Sequence, residues 1–299
     1  MNITDLIASN SRNFATSRTA RGNGAVSYSS RNGPIETDHL RRIAPSVFAE
    51  DAHGSRSEKY AYIPTSAILE RLAAEGFQPY AVSQGGSRDE TKRGFTKHLI
   101  RLRHESMTLQ LGQVHNEIVL LNSHDGTSSY RLMAGAYRTA CLNGLVVAQS
   151  TIEDIRIPHK GDVAGLVLDG CIEMLEKLPE VSETIREMAS LRLTDAEQTA
   201  FARAALVARY DDLQESPITP EQVLTVRRSA DVENSVWNVF NRAQENIIRG
   251  GVPYVQRDDN GRRVAYRRTR EIKGVDQNTS VNRALWALAE EMKAIKTAG

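Results

Sequence analysis

The chain has 299 residues, a formal net charge of +1, and 40% hydrophobic against 25% charged residues. That is enough apolar material to build a core, which excludes wholesale disorder. The near-zero charge means that a nucleic acid or a charged membrane surface could be met only by a local patch.

The first part of the chain, to about residue 35, shows no sustained periodicity and reads as a loosely ordered arm rich in Ser, Asn, Arg and Gly. Residues 36–160 read as an antiparallel sheet domain. An apolar stretch from Ile43 to Phe48 is interrupted by Pro45, and Tyr60 to Ile63 suggests a short strand. Pro64-Thr65 then opens a helix carrying Ile68, Leu69, Leu72 and Ala73 at helical spacing, which Gly76 stops. From Phe77 the period becomes two. Strands are expected over Phe77 to Val82, Phe95 to Arg103, Glu117 to Asn122 and Ser129 to Met133. Asp125-Gly126 supplies a hairpin turn between the last two. A short helix from Ala134 to Leu142, closed by Asn143-Gly144, and an extended run from Val146 to Ile157 complete this half.

Residues 161–299 read as a helical region. Helices are expected over Val163 to Leu178, Thr194 to Tyr210 and Val232 to Ile248, with Gly250-Gly251 ending the third. A basic, hairpin-like segment covers Val252 to Arg270, and a final amphipathic helix runs from Thr279 to Ile295. Strands grouped first and helices grouped second argue for an α+β fold.

The chemistry is marked by what is missing. There is no Walker-type phosphate loop, nucleophile elbow, zincin helix or zinc-spaced Cys/His pair, so no catalytic residue, metal or cofactor is assigned. Cys141 and Cys171 do not make a disulfide framework and read as buried thiols. No apolar run approaches the ~20 residues of a bilayer span, and the N-terminus lacks a signal peptide's apolar region. A cytoplasmic location without a membrane partner is therefore expected. A sheet could bring two of His98, His104, His115 and His124 together with Asp125, but strand histidines are more often surface or core residues.

Three segments stand out. In the first, Asn122, Ser123 and Asp125 can set a tight turn through their own backbone; a functional version puts Ser123, His124 and Thr127 at an exposed tip. In the second, Trp237, Asn241, Glu245 and Arg249 recur every four residues as a polar helix stripe beside a buried one, read either as a solvated face or as a groove in which Asn241 and Glu245 contact a ligand or a second subunit, with Glu245 and Arg249 spaced for an ion pair. The third is basic: seven Lys/Arg against three acids between Arg257 and Lys273, interleaved by Tyr254 and Tyr266. The stretch from Arg88 to Arg103 adds six more Lys/Arg against Asp89 and Glu90, whereas Glu173 to Glu215 is acidic. Cations for phosphates and rings for bases are what single-stranded nucleic acid requires, although alternating charges also solvate an exposed strand.

Taken together, Asn122-Ser123-His124-Asp125-Gly126, Cys141 with Asn143-Gly144, Arg227-Arg228 with Asp231, Trp237 to Asn241, Glu245, Arg249-Gly250-Gly251, Asn282 and Trp286 resemble the phage/plasmid-like proteins grouped as domain of unknown function 932. The resemblance covers roughly Tyr60 to Met292. It implies a mobile-element origin and supplies no activity. Tyr62-Ile63-Pro64-Thr65, followed by a helix and a strand meander, is also similar in element order to the Rad52-type single-strand annealing proteins of phages. That likeness implies a basic groove for single-stranded DNA.

The expectation is a non-enzymatic phage- or plasmid-type protein, oligomeric, that binds single-stranded DNA in recombination, replication or plasmid establishment. Lys92, Arg93, Arg101, Arg103, Arg262, Arg263, Arg267 and Arg268 would meet phosphates, and Tyr254 and Tyr266 would stack on bases. The alternatives are an inhibitor that binds a host protein, and a metal-dependent nuclease or hydrolase using His124, Asp125, Asp231 or Glu245.

Overall fold

The computed structural model describes residues 18–19, 26–30, 33–51, 62–106, 114–138, 144–146, 154–258 and 260–298. The fold is α+β, with a strand-rich first half and a helix-rich second half. An eight-stranded sheet runs in chain order through β1 (Arg18–Thr19), β2 (Val26–Ser29), β3 (Phe77–Gln84), β4 (His98–His104), β5 (Val114–Asn122), β6 (Tyr130–Arg138) and β7 (Gly144–Val146), with β8 (Ile155–Ile157) pairing β6. The registers defined for β1–β2, β2–β3, β3–β4 and β6–β7 are all antiparallel. Residues Val26–Ser29, within the stretch expected to be an arm, pair with Ala81–Gln84 of β3.

The chain forms two compact units, each drawn from three stretches. One comprises Met1–Ser106, Leu120–Arg131 and Arg156–Leu168; the other comprises Met107–Val119, Leu132–Ile155 and Asp169–Gly299. In the first unit α1 (Thr37–Ile43) is followed by a single-turn helix at Pro45–Phe48. Helix α2 (Thr65–Ala74) buries Ile68, Leu69 and Leu72 and packs on β3. The expected strand before it is not formed at Tyr62 and Ile63; Tyr60 and Ala61 lie outside the described residues. Gly76 ends α2 at φ +87°, and a Cβ there would meet His104 Nε2 at 2.9 Å. The left-handed φ is what favours glycine here. In β3, Pro79 cannot donate to a ladder, and the register shifts between Pro79 and Ala81.

The segment expected as a helix from Ala134 is strand β6 as far as Arg138. Gly135, Ala136 and Tyr137 pair with Val146, Leu145 and Gly144. Ala and Gly carry little side chain to enforce either state, so sheet pairing decides. Gly144, expected as a helix cap, is thus in β7, while Cys141 and Asn143 lie outside the described residues.

The long helix α3 (Val163–Ser190), whose residues from Asp169 on belong to the second unit, does not stop at Leu178. Pro179 removes an N–H and crowds the preceding turn. The buried stripe nevertheless continues through Val181, Ile185 and Met188, and Asn116 Nδ2 donates to Leu178 O (2.9 Å) and Ser182 Oγ (2.7 Å) across the proline. Cys171 lies in this stripe, where burial pushes its thiol up to about 12. Helix α4 (Asp195–Tyr210) opens with a reciprocal Thr194–Glu197 capping box. After the one-turn α5 (Pro220–Val223), α6 (Val236–Gln244) packs against α4 and α7 (Val275–Ala298). The third expected helix therefore starts later than Val232, and the last starts before Thr279. Among the described residues no helix is long and apolar enough to cross a membrane.

Candidate nucleic-acid interface

The basic segment of the second unit is a two-stranded hairpin, β9 (Pro253–Arg257) and β10 (Arg263–Arg268). Its turn is set by Asp258, whose Oδ1 accepts from Asn260 N (3.0 Å) and Arg262 N (2.8 Å), with Gly261 at φ +76°. In the register Arg267 faces Tyr254 and Tyr266 faces Val255. Nearly every side chain is exposed on both faces, and Tyr266 is 71% exposed. Arg263 holds its guanidinium 4.8 Å from the Tyr266 ring centroid, and Arg267 Nε donates to Gln256 Oε1 at 3.2 Å.

Between this hairpin and the end of α4 lies a groove of about 1130 Å³. Four arginines (Arg209, Arg267, Arg268, Arg270) and three tyrosines (Tyr210, Tyr254, Tyr266) line it, with no carboxylate among the described residues. Burial raises the pKa of the Tyr210 hydroxyl; Arg209 pulls it back and Tyr254 adds to the rise. Sequence reasoning missed Arg209 and Tyr210. They sit at the end of a stretch that reads as acidic, and only tertiary packing joins them to a hairpin more than 40 positions later. Their one local signal is a basic-aromatic pair closing a helix.

The basic stretch of the first unit is placed differently. Arg93 pairs with Glu90 at 3.0 Å and donates to Ser87 O. Lys92 is half-buried and helps to lower the pKa of Asp125. Arg103 lies over the Tyr80 ring at 4.2 Å. Arg101, expected among the phosphate contacts, is only 6% exposed and donates from Nη2 to Ser29 Oγ at 2.6 Å. Lys92, Arg93, Arg101 and Arg103 belong to one unit, and Tyr254, Arg262, Arg263, Tyr266, Arg267 and Arg268 to the other.

The Asn122–Gly126 segment does form the β5–β6 turn. Gly126 has φ +77°, Asp125 Oδ1 accepts from Thr127 N (3.0 Å) and Thr127 Oγ1 (2.6 Å), and Ser128 N donates to Ser123 Oγ at 2.9 Å. Burial works to raise the Asp125 pKa. The Thr127 hydroxyl and N–H, Ser123 and the charge of Lys92 outweigh it, and the net shift is downward. Ser123 and His124 are not at an exposed tip; both are fully buried. His124 Nε2 (3.1 Å), His98 Nε2 (2.9 Å), Asn122 Nδ2 (3.1 Å) and the Tyr130 hydroxyl (3.2 Å) all converge on Thr65 Oγ1. Ser46 Oγ meets His98 Nδ1 at 3.0 Å from the other side. Burial and the neighbouring His124 lower His98 to about 3, against weaker opposition from the Thr96 carbonyl and Asp125, and burial with His159 nearby lowers His124 to about 4, against Asp125. Two of the four strand histidines thus come together on a hydroxyl. Among the described residues no group of three or more His, Cys, Asp or Glu is placed to hold a metal ion.

Helix α6 shows no polar stripe facing solvent, for every residue from Val236 to Gln244 is buried. Several of its polar groups bond within the protein, although Arg242 Nε is buried without a hydrogen-bond partner. Asn241 Nδ2 donates to Trp237 O (2.6 Å), Gln244 Nε2 to Asn282 Oδ1 (2.7 Å), and Trp286 meets Phe240 edge-on at 6.1 Å. The helix then widens into a π turn at Glu245–Arg249, a departure often found at functional sites. Glu245 receives a two-pronged contact from Arg228, both at 2.7 Å, while the expected partner Arg249 is at 3.7 Å. Asp231 is buried near Arg242.

Comparison with known proteins gives a family and no activity. Residues 52–286 match the model described as domain of unknown function (DUF932). The chain is 43% identical over 275 residues to UPF0380 protein YfjQ of Escherichia coli (strain K12), covering 92% of this chain and 97% of that protein. UPF0380 protein YafZ of the same strain is similar to the same extent. No solved structure matches, so the likeness to Rad52-type annealing proteins finds no support there.

Proposed function

Since the chain belongs to the DUF932 family, whose name carries no activity, we propose a function from the chemistry of the hairpin groove: non-enzymatic binding of single-stranded nucleic acid, DNA before RNA, in the cytoplasm. One observation carries the reading. An exposed hairpin and a helix end enclose a groove with four guanidiniums, three phenol rings and, among the described residues, no carboxylate. Phosphates need the first and unstacked bases the second, and neither contact demands a particular sequence. A duplex offers its bases only edge-on in the grooves, so the tyrosines select for a single strand. A role in recombination, replication or plasmid establishment, and an oligomeric assembly lining up several grooves, extend this reading.

Fluorescence anisotropy of the full chain with a labelled oligonucleotide tests it. If all four groove arginines meet phosphates, affinity should fall about 50-fold between 50 and 200 mM salt, from the single-strand slope of roughly −0.7 per contact. A duplex of the same sequence should bind more weakly. Absence of single-strand binding at low salt sinks the reading. A pull-down partner that survives nuclease treatment would then favour the host-protein alternative.

A further inference from the structure

We propose that the hairpin groove chooses among bases: Gln256, turned by Arg267, presents its amide hydrogens to the strand and so favours keto bases, guanine above all, over adenine. The assignment rests on the single-strand reading and names the strand that the same groove prefers.

Cross-strand pairing gathers the parts on one face of the hairpin. Tyr254 and Gln256 lie two positions apart on β9, and the register sets Arg267 opposite Tyr254 and Ala265 opposite Gln256. Side chains two apart on a strand share a face at a spacing of about 7 Å. A base stacked on the Tyr254 ring therefore brings its edge beside Gln256. Ala265, opposite, has only a methyl group with which to fill that space.

The direction of the Gln256 amide follows from its partner. Arg267 Nε donates to Gln256 Oε1 at 3.2 Å. A guanidinium has no acceptor, so only the carbonyl end of the amide can face it. The Nε2 end, with two hydrogens, is left for the strand. Two further acceptors of the groove are engaged from within the protein. Thr269 Oγ1 accepts from Val252 N at 3.1 Å, and the Tyr266 hydroxyl accepts from Arg263 Nη1. Each hydroxyl keeps its own hydrogen to give. With four guanidiniums and, among the described residues, no carboxylate, the side chains of the groove offer donors in excess.

Bases differ in how well they meet such a lining. Guanine shows O6 and N7 as adjacent acceptors, and thymine shows O4, whereas adenine sets an N6 amine beside its N7. A glutamine with both ends free reads adenine, its oxygen taking from N6 and its nitrogen giving to N7. Here Arg267 already occupies the oxygen, so the adenine amine loses its acceptor. Guanine finds a donor for each of its two acceptors. Phosphate contacts and stacking supply affinity without choice; the amide supplies the choice.

Fluorescence anisotropy on the full chain tests this with three thymine strands that differ only at isolated positions, filled by guanine, adenine or hypoxanthine. The guanine strand should bind roughly two- to tenfold more tightly than the adenine strand, the worth of one hydrogen bond. Hypoxanthine, which has the O6 and N7 of guanine without its 2-amino group, should match guanine. Gln256→Glu then changes a single atom type on an exposed side chain. Its charge weakens all three strands, but a carboxylate only accepts, so the preference for guanine over adenine should vanish or invert. Arg267→Ala frees the glutamine oxygen and should shift the preference in the same direction. Equal binding of guanine and adenine strands by the wild-type chain, hypoxanthine behaving as adenine, or a preference that survives either substitution overturns the assignment while the single-strand reading stands. Failure of every strand to bind at low salt removes that reading, and this preference with it.

Discussion

The interior of helix α6 and the β9–β10 hairpin are both rich in polar residues, and they use them in opposite ways. In and around α6 the amides of Asn241, Gln244 and Asn282 bond to other protein groups, and Trp237 and Trp286 flank Phe240. On the hairpin, arginines and tyrosines stand in water, tied down by single contacts. The residues that carry the family resemblance fall mostly on the first side. Asn122, Ser123, His124, Asp231, Trp237, Asn241, Glu245, Asn282 and Trp286 are all buried. The contrast teaches that the sequence motif specifies a folded interior, while the exposed basic surface lies in a segment the motif barely includes.

The largest effect should come from breaking the interior. Trp286→Ala removes a side chain that is 1% exposed, and is expected to cost about 3–5 kcal/mol in urea unfolding. Any surviving folded protein should bind oligonucleotide with wild-type affinity. A Trp286→Ala protein that kept its stability and lost binding would reverse the assignment of the two regions.

The next effect concerns the other polar interior, the histidine pair on Thr65. Both histidines are neutral in the folded state, with values of about 3 for His98 and about 4 for His124, and return to the ordinary 6.5 when unfolded. The unfolded chain then binds more protons below pH 6.5. Stability is complete above that value and is lost as pH falls toward 4, at about 1.4 kcal/mol per pH unit for each histidine. Denaturation midpoints between pH 7 and pH 4.5 measure this slope. His98→Gln should flatten it, and an unchanged slope would mean that the pair does not titrate as its burial implies.

Much of this was legible beforehand, and the failures have physical causes. The period-two strands, the helix stops at Gly76 and Gly250, and the Asp125-Gly126 turn are local events, decided by a few dihedral angles. The segment from Ala134 was misread because short side chains state no preference and a partner strand settles the matter. The helix through Pro179 was cut short because Asn116 is far away in sequence. Trp237, Asn241 and Glu245 were expected to form a stripe facing solvent, since polar residues at helical spacing usually do. Here neighbouring helices supply their partners instead. The basic composition of the hairpin was visible; Arg209 and Tyr210, which complete its groove, were not, because nothing local connects them.

On the hairpin itself the expected changes are in binding and not in stability. Tyr266→Ala should weaken single-strand affinity by about 1–3 kcal/mol, the usual worth of one base–aromatic stack. Its unfolding midpoint should stay within the roughly 0.5 kcal/mol typical of surface substitutions. Equal affinity would leave electrostatics as the only source of binding in the groove.

The smallest expected effect discriminates best between the two basic stretches. Arg267 lines a groove with no carboxylate among the described residues, whereas Arg93 is already paired with Glu90. A guanidinium that displaces no counterion on binding contributes nothing to the dependence of affinity on salt. Arg267→Ala should therefore reduce the slope of log affinity against log salt by about 0.7, the single-strand value for one phosphate contact. Arg93→Ala should leave the slope where it was. The slope, unlike the affinity, counts phosphate contacts one at a time, so it remains informative even when each variant changes affinity only slightly. If both substitutions lower it equally, the strand also contacts the first unit, and the hairpin groove is one part of a longer path.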